Sequence, residues 1–355
     1  MLEPNLTFSP GPSKIHEETL EDIRELSRGM FLSTSHRSAA FTDMSRRAIE
    51  GMHDKLGIPS DYRIFYQASA TGCMHTILGN VVKSRSQHFV NGAFSNRFYQ
   101  FALDLAMDPL LVDIPWGEAI DWESIEVPED VELVALTHNE SSTSVMWPRE
   151  ALIKFREKHP RPLISIDATS TMGSLNFPWE AADLWFGSVQ KCLGMPSGLG
   201  LLIVSPRAFE IGVQNLESLH RVPGWQRFDI LEKHMGSKYQ TLETPNLFGI
   251  ALLAKAMERL DIEATEKRVL EQAKFLYESI KALSWESYVK DPLWRSCTLC
   301  NIELDNPEAW RLKALENGMV IGKGYGVLSD SCIRIANFPA ITMADLERLF
   351  RAFGQ

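Results

Sequence analysis

Short, almost wholly apolar runs alternating with helix-patterned segments fill the first three-fifths of this 355-residue chain and leave few architectures open. Strand-like runs are predicted at Tyr62 to Tyr66, His88 to Val90, Val131 to Thr137, Leu163 to Ile166, Leu184 to Gly187 and Leu199 to Val204. Between them lie helical patterns from Thr71 to Val82, from Gly92 to Ala106, and after Pro148, where Ala151, Leu152 and Phe155 supply an apolar face. Pro148 is read into that helix's first turn, where a missing N–H costs nothing. Such alternation predicts an α/β fold, a large mostly parallel sheet with helices on both faces. After Phe248 the texture changes to long helical patterns (Asn246 to Leu260, Thr265 to Leu283) and shorter mixed elements. These comprise strands at Cys297 to Leu304 and Cys332 to Ala336, and helices at Ala309 to Glu316 and Met343 to Phe353. The expected division is a large domain over residues 15–250 and a small C-terminal α+β domain over 251–355, with segment 1–14 packed near the active site. No internal repeat or low-complexity tract argues for an array.

In a parallel sheet, ligands sit beyond the carboxyl ends of the strands, so residues just after each strand carry the chemistry. Asp167 ends the run Ile164-Ser165-Ile166, and Lys191 sits in the polar turn Ser188-Val189-Gln190-Lys191 after the next. Alone, that pair is equally a salt bridge. Gln67-Ala68-Ser69-Ala70-Thr71-Gly72 is a small-residue turn entering a helix, whose amides and dipole suit a phosphate. Phe94 follows the next strand and is placed to stack on a planar ligand, and Thr137 to Ser144 offers hydroxyls and amides after the one after that. Phosphate cradle, stacking ring, hydroxyl, carboxylate and lysine together describe a site for pyridoxal 5′-phosphate.

The chain resembles the class V branch of the fold-type I pyridoxal-phosphate enzymes, most closely the phosphoserine aminotransferases. The resemblance runs nearly end to end. It is carried by Phe8-Ser9-Pro10-Gly11-Pro12, Ser35-His36-Arg37-Ser38, Gln190-Lys191, Thr244-Pro245 and Arg334-Ile335-Ala336-Asn337-Phe338-Pro339. It implies that Lys191 holds the cofactor and shuttles a proton, and that Asp167 keeps the pyridine nitrogen protonated. Phe94 would replace the family's stacking aromatic, often Trp, and Ser141 its hydroxyl near the cofactor O3′. Ala70, Thr71 and Gln190 match phosphate-binding positions, and Thr244 a phosphate contact given by the partner subunit of a homodimer with shared active sites. Arg334 matches the α-carboxylate clamp, and His36 and Arg37 the pair that binds the substrate phosphate. Two departures stand out: Thr71 occupies a position where some members carry an arginine, and Glu243 one where asparagine often precedes Thr-Pro. The implied activity is ping-pong transamination of 3-phosphohydroxypyruvate and glutamate to phosphoserine and 2-oxoglutarate, a step of serine biosynthesis. An alanine- or serine-glyoxylate (or serine-pyruvate) aminotransferase is the alternative, and a non-catalytic binding protein of the same fold a further one.

A net charge of −10 argues against a dedicated nucleic-acid or anionic-membrane binder. No apolar run approaches the ~20 residues needed to cross a bilayer. The start Met1-Leu2-Glu3-Pro4 lacks a secretory pattern, and five cysteines are few and odd in number, so a cytoplasmic protein with reduced thiols is expected. Cys297-Thr298-Leu299-Cys300 lacks the second ligand pair that zinc requires, and no metal is predicted. Cys332 raises the chemistry of a cysteine desulfurase, but it lies in a strand-like run rather than a mobile loop. Gly322-Lys323-Gly324 lacks the spacing of a P-loop, so Gly318 to Gly326 is read as a turn into the Arg334 strand. Met44, Ala48, Met52 and Leu56 step by four as a core helix face, with Gly57 as its C-cap. His53, His75, His159, His220 and His234 have no motif context, and His138, although near the site, receives no role.

Overall fold

A computed structural model of the chain describes residues 4–217, 222 and 224–354; His220 lies outside them. Strand β1 (Leu6–Phe8) and helices α1 (Glu17–Ser27) and α2 (Ala39–Leu56) come first. The alternating region follows as β2 (Arg63–Gln67), α3 (Ala70–Val81), β3 (Ser86–Val90), α4 (Ala93–Asp104), β4 (Leu110–Asp113) and β5 (Leu133–Thr137). A small hairpin of β6 (Asn139–Glu140) and β7 (Val145–Met146) leads to α5 (Arg149–Lys158), then β8 (Leu163–Asp167), β9 (Leu184–Ser188) and β10 (Gly200–Val204). Helices α6 (Pro206–Gln214), α7 (Phe228–Met235), α8 (Leu247–Arg259) and α9 (Ile262–Ala282) connect to the last part. That part holds β11 (Glu286–Ser287), β12 (Leu299–Glu303), α10 (Pro307–Glu316), β13 (Met319–Lys323), β14 (Cys332–Ala336) and α11 (Met343–Phe353).

The large sheet has the order β2-β10-β9-β8-β5-β3-β4, and only β10 runs against its neighbours. The reason is local. No helix separates β9 from β10, so the chain turns back on itself, whereas parallel neighbours need a crossover. The central strands β3, β5, β8, β9 and β10 are buried along their whole length, as covering on both faces demands. Edge strand β4 alternates between half-buried and exposed positions and escapes a search for apolar runs. Helix α2 presents Met44, Ala48, Met52 and Leu56 to the core, with Ser38 as N-cap and Gly57 at φ 68° as C-cap. Pro148 stands one position earlier than read from the sequence, as the N-cap of α5 with an extended backbone.

The smaller sheet has the order β1-β13-β14-β12-β11. Residues read as a turn, 319–323, are strand β13, which pairs with β1 on one side and β14 on the other. Its glycine-flanked sequence hides this, because its partners lie far away in the chain. Two hydrophobic cores result, and α9 spans both: Val269 and Ala273 belong to the large one, Leu276 and Ile280 to the other. Leu6 and Phe8 join the second core, so the chain's beginning packs with its end. None of the helices among the described residues is long and apolar enough to cross a membrane.

His88 in β3 and His138 after β5 are buried, and burial pushes their imidazoles down to about 3 and about 4. The native state thus holds them neutral, while the unfolded chain takes up a proton below its ordinary 6.5. Their contribution is complete above pH 6.5 and is lost as the pH falls toward the folded values, roughly 3 kcal/mol each by pH 4. Urea midpoints should fall across that window, and His88→Gln should flatten the slope by up to one proton. An unchanged slope would show that the imidazole is not held neutral.

Candidate active site

The parallel strands deliver their carboxyl ends to one edge of the large sheet, and a cavity of about 240 Å³ opens there. Its walls include Ala70, Thr71, Phe94, Ser141, Asp167, Gln190, Lys191 and Arg334, eight of the positions singled out from the sequence. Asp167 is the last residue of β8, and Lys191 follows the adjacent β9 by three positions. No ion pair joins them, so the pair is not a simple salt bridge. The Lys191 amine instead donates to Ser141 Oγ at 3.3 Å and lies 5.2 Å from the centre of the Phe94 ring.

Burial dominates the electrostatics. It lowers the Lys191 amine below its ordinary value against the pull of Asp167, and Arg334 lowers it further. It raises the Asp167 carboxyl, although the Thr169 amide donates to Asp167 Oδ1 at 2.8 Å and Lys191 pulls the other way. Each group is thus shifted toward its neutral form within one pocket. Arg334, on β14, is brought down to about 10 by burial; it donates to Lys323 O at 2.7 Å and Ser141 O at 3.1 Å.

The phosphate-sized end of the pocket is the start of α3. Ser69 Oγ accepts from Gly72 N at 3.1 Å, leaving the first-turn amides of Ala70 and Thr71 without intrahelical acceptors. A side chain at Gly200 would stand 2.5 Å from the Ser69 backbone, so glycine there lets this turn seat against β10. Gln190 Oε1 is buried without a partner beside it, an orphan that a ligand donor would satisfy.

Several contributors escaped the sequence reading. Ser13 binds Gln190 O through its amide at 3.1 Å and its hydroxyl at 3.0 Å, and the same hydroxyl lies 3.0 Å from Lys191 O. Segment 10–13 thereby straps the lysine turn, and Pro10, Gly11 and Pro12 line the pocket. Glu140, fully buried, gathers five donors: Phe94 N, Ser95 N and Ser95 Oγ on one oxygen, Ser142 N and Ser142 Oγ on the other. It fixes the start of α4 and with it Phe94. Gly92 belongs to this clamp, since an added Cβ would meet Glu140 Cγ at 2.4 Å. Arg97 and Tyr325 also line the cavity. A search of loop ends alone reaches Glu140, inside 137–144, but finds none of Ser13, Arg97 and Tyr325.

Three predicted residues stand elsewhere. Arg37 is exposed, with Nη2 3.5 Å from Leu242 O, close in sequence to exposed Thr244. His36, which packs edge-on against Phe41, is next to it. Arg37 and Thr244 are exposed and His36 is half-buried, and none of the three lines the same chain's Lys191 pocket. His138 turns away from the cavity, with Nδ1 2.8 Å from Thr171 Oγ1. Cys297 and Cys300 belong to different hydrophobic cores, and burial pushes both thiols up to about 12. Cys332 is buried at the start of β14.

Comparison with known proteins identifies the family. The aminotransferase class-V family model matches residues 6–327, and the chain belongs to that family, which uses pyridoxal phosphate. A phosphoserine aminotransferase of Rhodococcus jostii is 29% identical over 364 aligned residues, covering 97% of this chain and 93% of that protein. The crystal structure of a phosphoserine aminotransferase from Cytophaga hutchinsonii superposes with a TM-score of 0.95 at 31% identity, covering 98% of each chain. An alanine–glyoxylate aminotransferase from Nostoc shares the fold, with a TM-score of 0.84 at 20% identity over 99% of this chain and 95% of that one.

Proposed function

We propose that this class V aminotransferase carries pyridoxal phosphate on Lys191 and interconverts 3-phosphohydroxypyruvate and glutamate with phosphoserine and 2-oxoglutarate. The observation that carries the reading is the buried Lys191 amine facing Asp167, Phe94 and the α3 amides across one cavity. The residues fit the cofactor chemically: an amine for its aldehyde, a carboxylate for its ring nitrogen, and helix-start amides with the donating Nε2 of Gln190 for its phosphate. When bound, the cofactor supplies an electron sink for the electrons left at the substrate Cα. The full-length similarity to proteins named phosphoserine aminotransferase supports the substrate.

The chain's own groups divide the work. Burial disfavours the charged form of Lys191 Nζ, so the free amine can take the proton from the substrate Cα and return it. Asp167 holds a proton on the ring nitrogen. Phe94 fixes the ring plane from a position that Glu140 makes rigid. Ser141 Oγ orients the lysine amine. Arg334 offers a forked donor to the α-carboxylate. His36, Arg37 and Thr244 act in the site of a second copy. Their grouping, together with the exposure of Met30 (86%), Leu32 (42%) and Leu242 (42%), fits a homodimer contact.

Steady-state rates with phosphoserine and 2-oxoglutarate against alanine and glyoxylate test the substrate. A kcat/KM favouring phosphoserine is expected, and a preference for alanine overturns the assignment. Full activity in a preparation that is monomeric by solution mass would remove the shared-site arrangement.

A further inference from the structure

In the wall of the same cavity, a second cationic group shares Tyr325 with Arg334 and is not explained by cofactor binding. Arg97 lies one turn into α4, with its guanidinium 5.1 Å from the Phe94 ring centre and Nη2 3.3 Å from Tyr325 OH. Tyr325 stacks on Phe94 with centroids 5.2 Å apart, and the Arg334 guanidinium lies 5.4 Å over the Tyr325 ring. One tyrosine thus separates two guanidiniums that line the same cavity: Arg97 on its hydroxyl, Arg334 on its face. Among the described residues neither forms an ion pair. The nearby Glu140 carboxylate is consumed by its five donors, and Asp167 lies with Lys191. Half-burying a guanidinium without a counter-anion is unfavourable, and a ligand anion would offset that cost.

We propose that Arg97, oriented by the Tyr325 hydroxyl, is the same-chain clamp for the side-chain anion of the substrate, so that the pocket selects amino and oxo acids carrying two anionic ends. This rests on the reading of Arg334 as the α-carboxylate clamp. Arg97 supplies a fork suited to a phosphate or a carboxylate. Tyr325 is a positioning residue: its ring limits where Arg334 and Phe94 lie, and its hydroxyl holds Arg97 in the wall.

Equilibrium binding to the holoenzyme tests this without turnover. Glutarate carries two carboxylates at the spacing of glutamate, and butyrate only one. Wild-type protein should bind glutarate at least about tenfold more tightly, the worth of one charge-assisted contact. Arg97→Gln should bring the two within about twofold, Arg97→Lys should recover part of the difference, and Tyr325→Phe should lose about threefold, because it removes the hydroxyl and keeps the stack. In turnover, Arg97→Gln should raise KM for glutamate with little change in kcat, whereas a merely structural role would lower kcat. Selectivity for glutarate that survives Arg97→Gln and Tyr325→Phe overturns the proposal while leaving transaminase activity standing. Selectivity that depends on Arg97 in a protein with no transaminase activity would uphold the dianion site and overturn the proposed function instead.

Discussion

Lys191→Ala is expected to abolish the visible absorption that pyridoxal phosphate gives the purified protein and to cut transamination by about a thousandfold or more. Lys191→Arg should fail equally, because a guanidinium keeps the charge but never supplies a free amine. The native environment lowers the Lys191 amine by burial, so the charged form is disfavoured in the fold. Cofactor uptake by the apoprotein should therefore rise with pH to a midpoint below the ordinary lysine value, tracking the free amine. The same sign predicts that Lys191→Ala leaves the apoprotein's thermal midpoint unchanged or raised, since it removes a buried amine whose charged form the fold disfavours. A variant that is colourless because it has unfolded would show a lowered midpoint. An alanine variant that stays yellow and active would remove Lys191 from the mechanism.

The second large effect concerns stability as much as activity. Glu140→Ala leaves the amides of Phe94, Ser95 and Ser142 and the Ser142 hydroxyl without the acceptor that this fully buried side chain supplies, while the Ser95 hydroxyl keeps Gly92 O at 3.1 Å. Loss of the carboxylate should destabilise the protein by about 3–5 kcal/mol, read as a fall in the urea midpoint at constant slope. Glu140→Gln should cost less but still be felt, because its amide nitrogen turns a donor toward donors. Both variants should also weaken pyridoxal phosphate, since the helix start that carries Phe94 is no longer pinned. A Glu140→Ala loss below about 1 kcal/mol would mean that water replaces the carboxylate, and the clamp would then have no structural weight.

Much of the architecture was legible because it is written in local periodicity. The buried strands β5, β8 and β9 are continuous apolar runs, and α11 falls at the residues its pattern marks, 343–353. Asp167 and Lys191 were legible for a related reason. Parallel strands connected in sequence deliver their carboxyl ends to one edge, so position in the run locates the residue in space. What stayed hidden had no local pattern. Strand β13 borrows its pairing from β1, more than three hundred residues away, and its own sequence reads as a turn. Segment 1–14 was expected near the site, but the bond of Ser13 to the Lys191 carbonyl, across 178 residues, has no local pattern that announces it.

By itself, then, the sequence determined the class of sheet, the order of its elements and the polar residues at its carboxyl edge, because these depend on patterns a few residues long. The tertiary structure alone decided which of those residues share a cavity and which groups complete it. It left His36, Arg37 and Thr244 out of the lining of the Lys191 cavity, and it set Arg97 on the hydroxyl and Arg334 on the face of Tyr325. The physical reason is that a charge's role depends on its counter-charges and its burial. Both are properties of segments distant in the chain, and no short pattern encodes them.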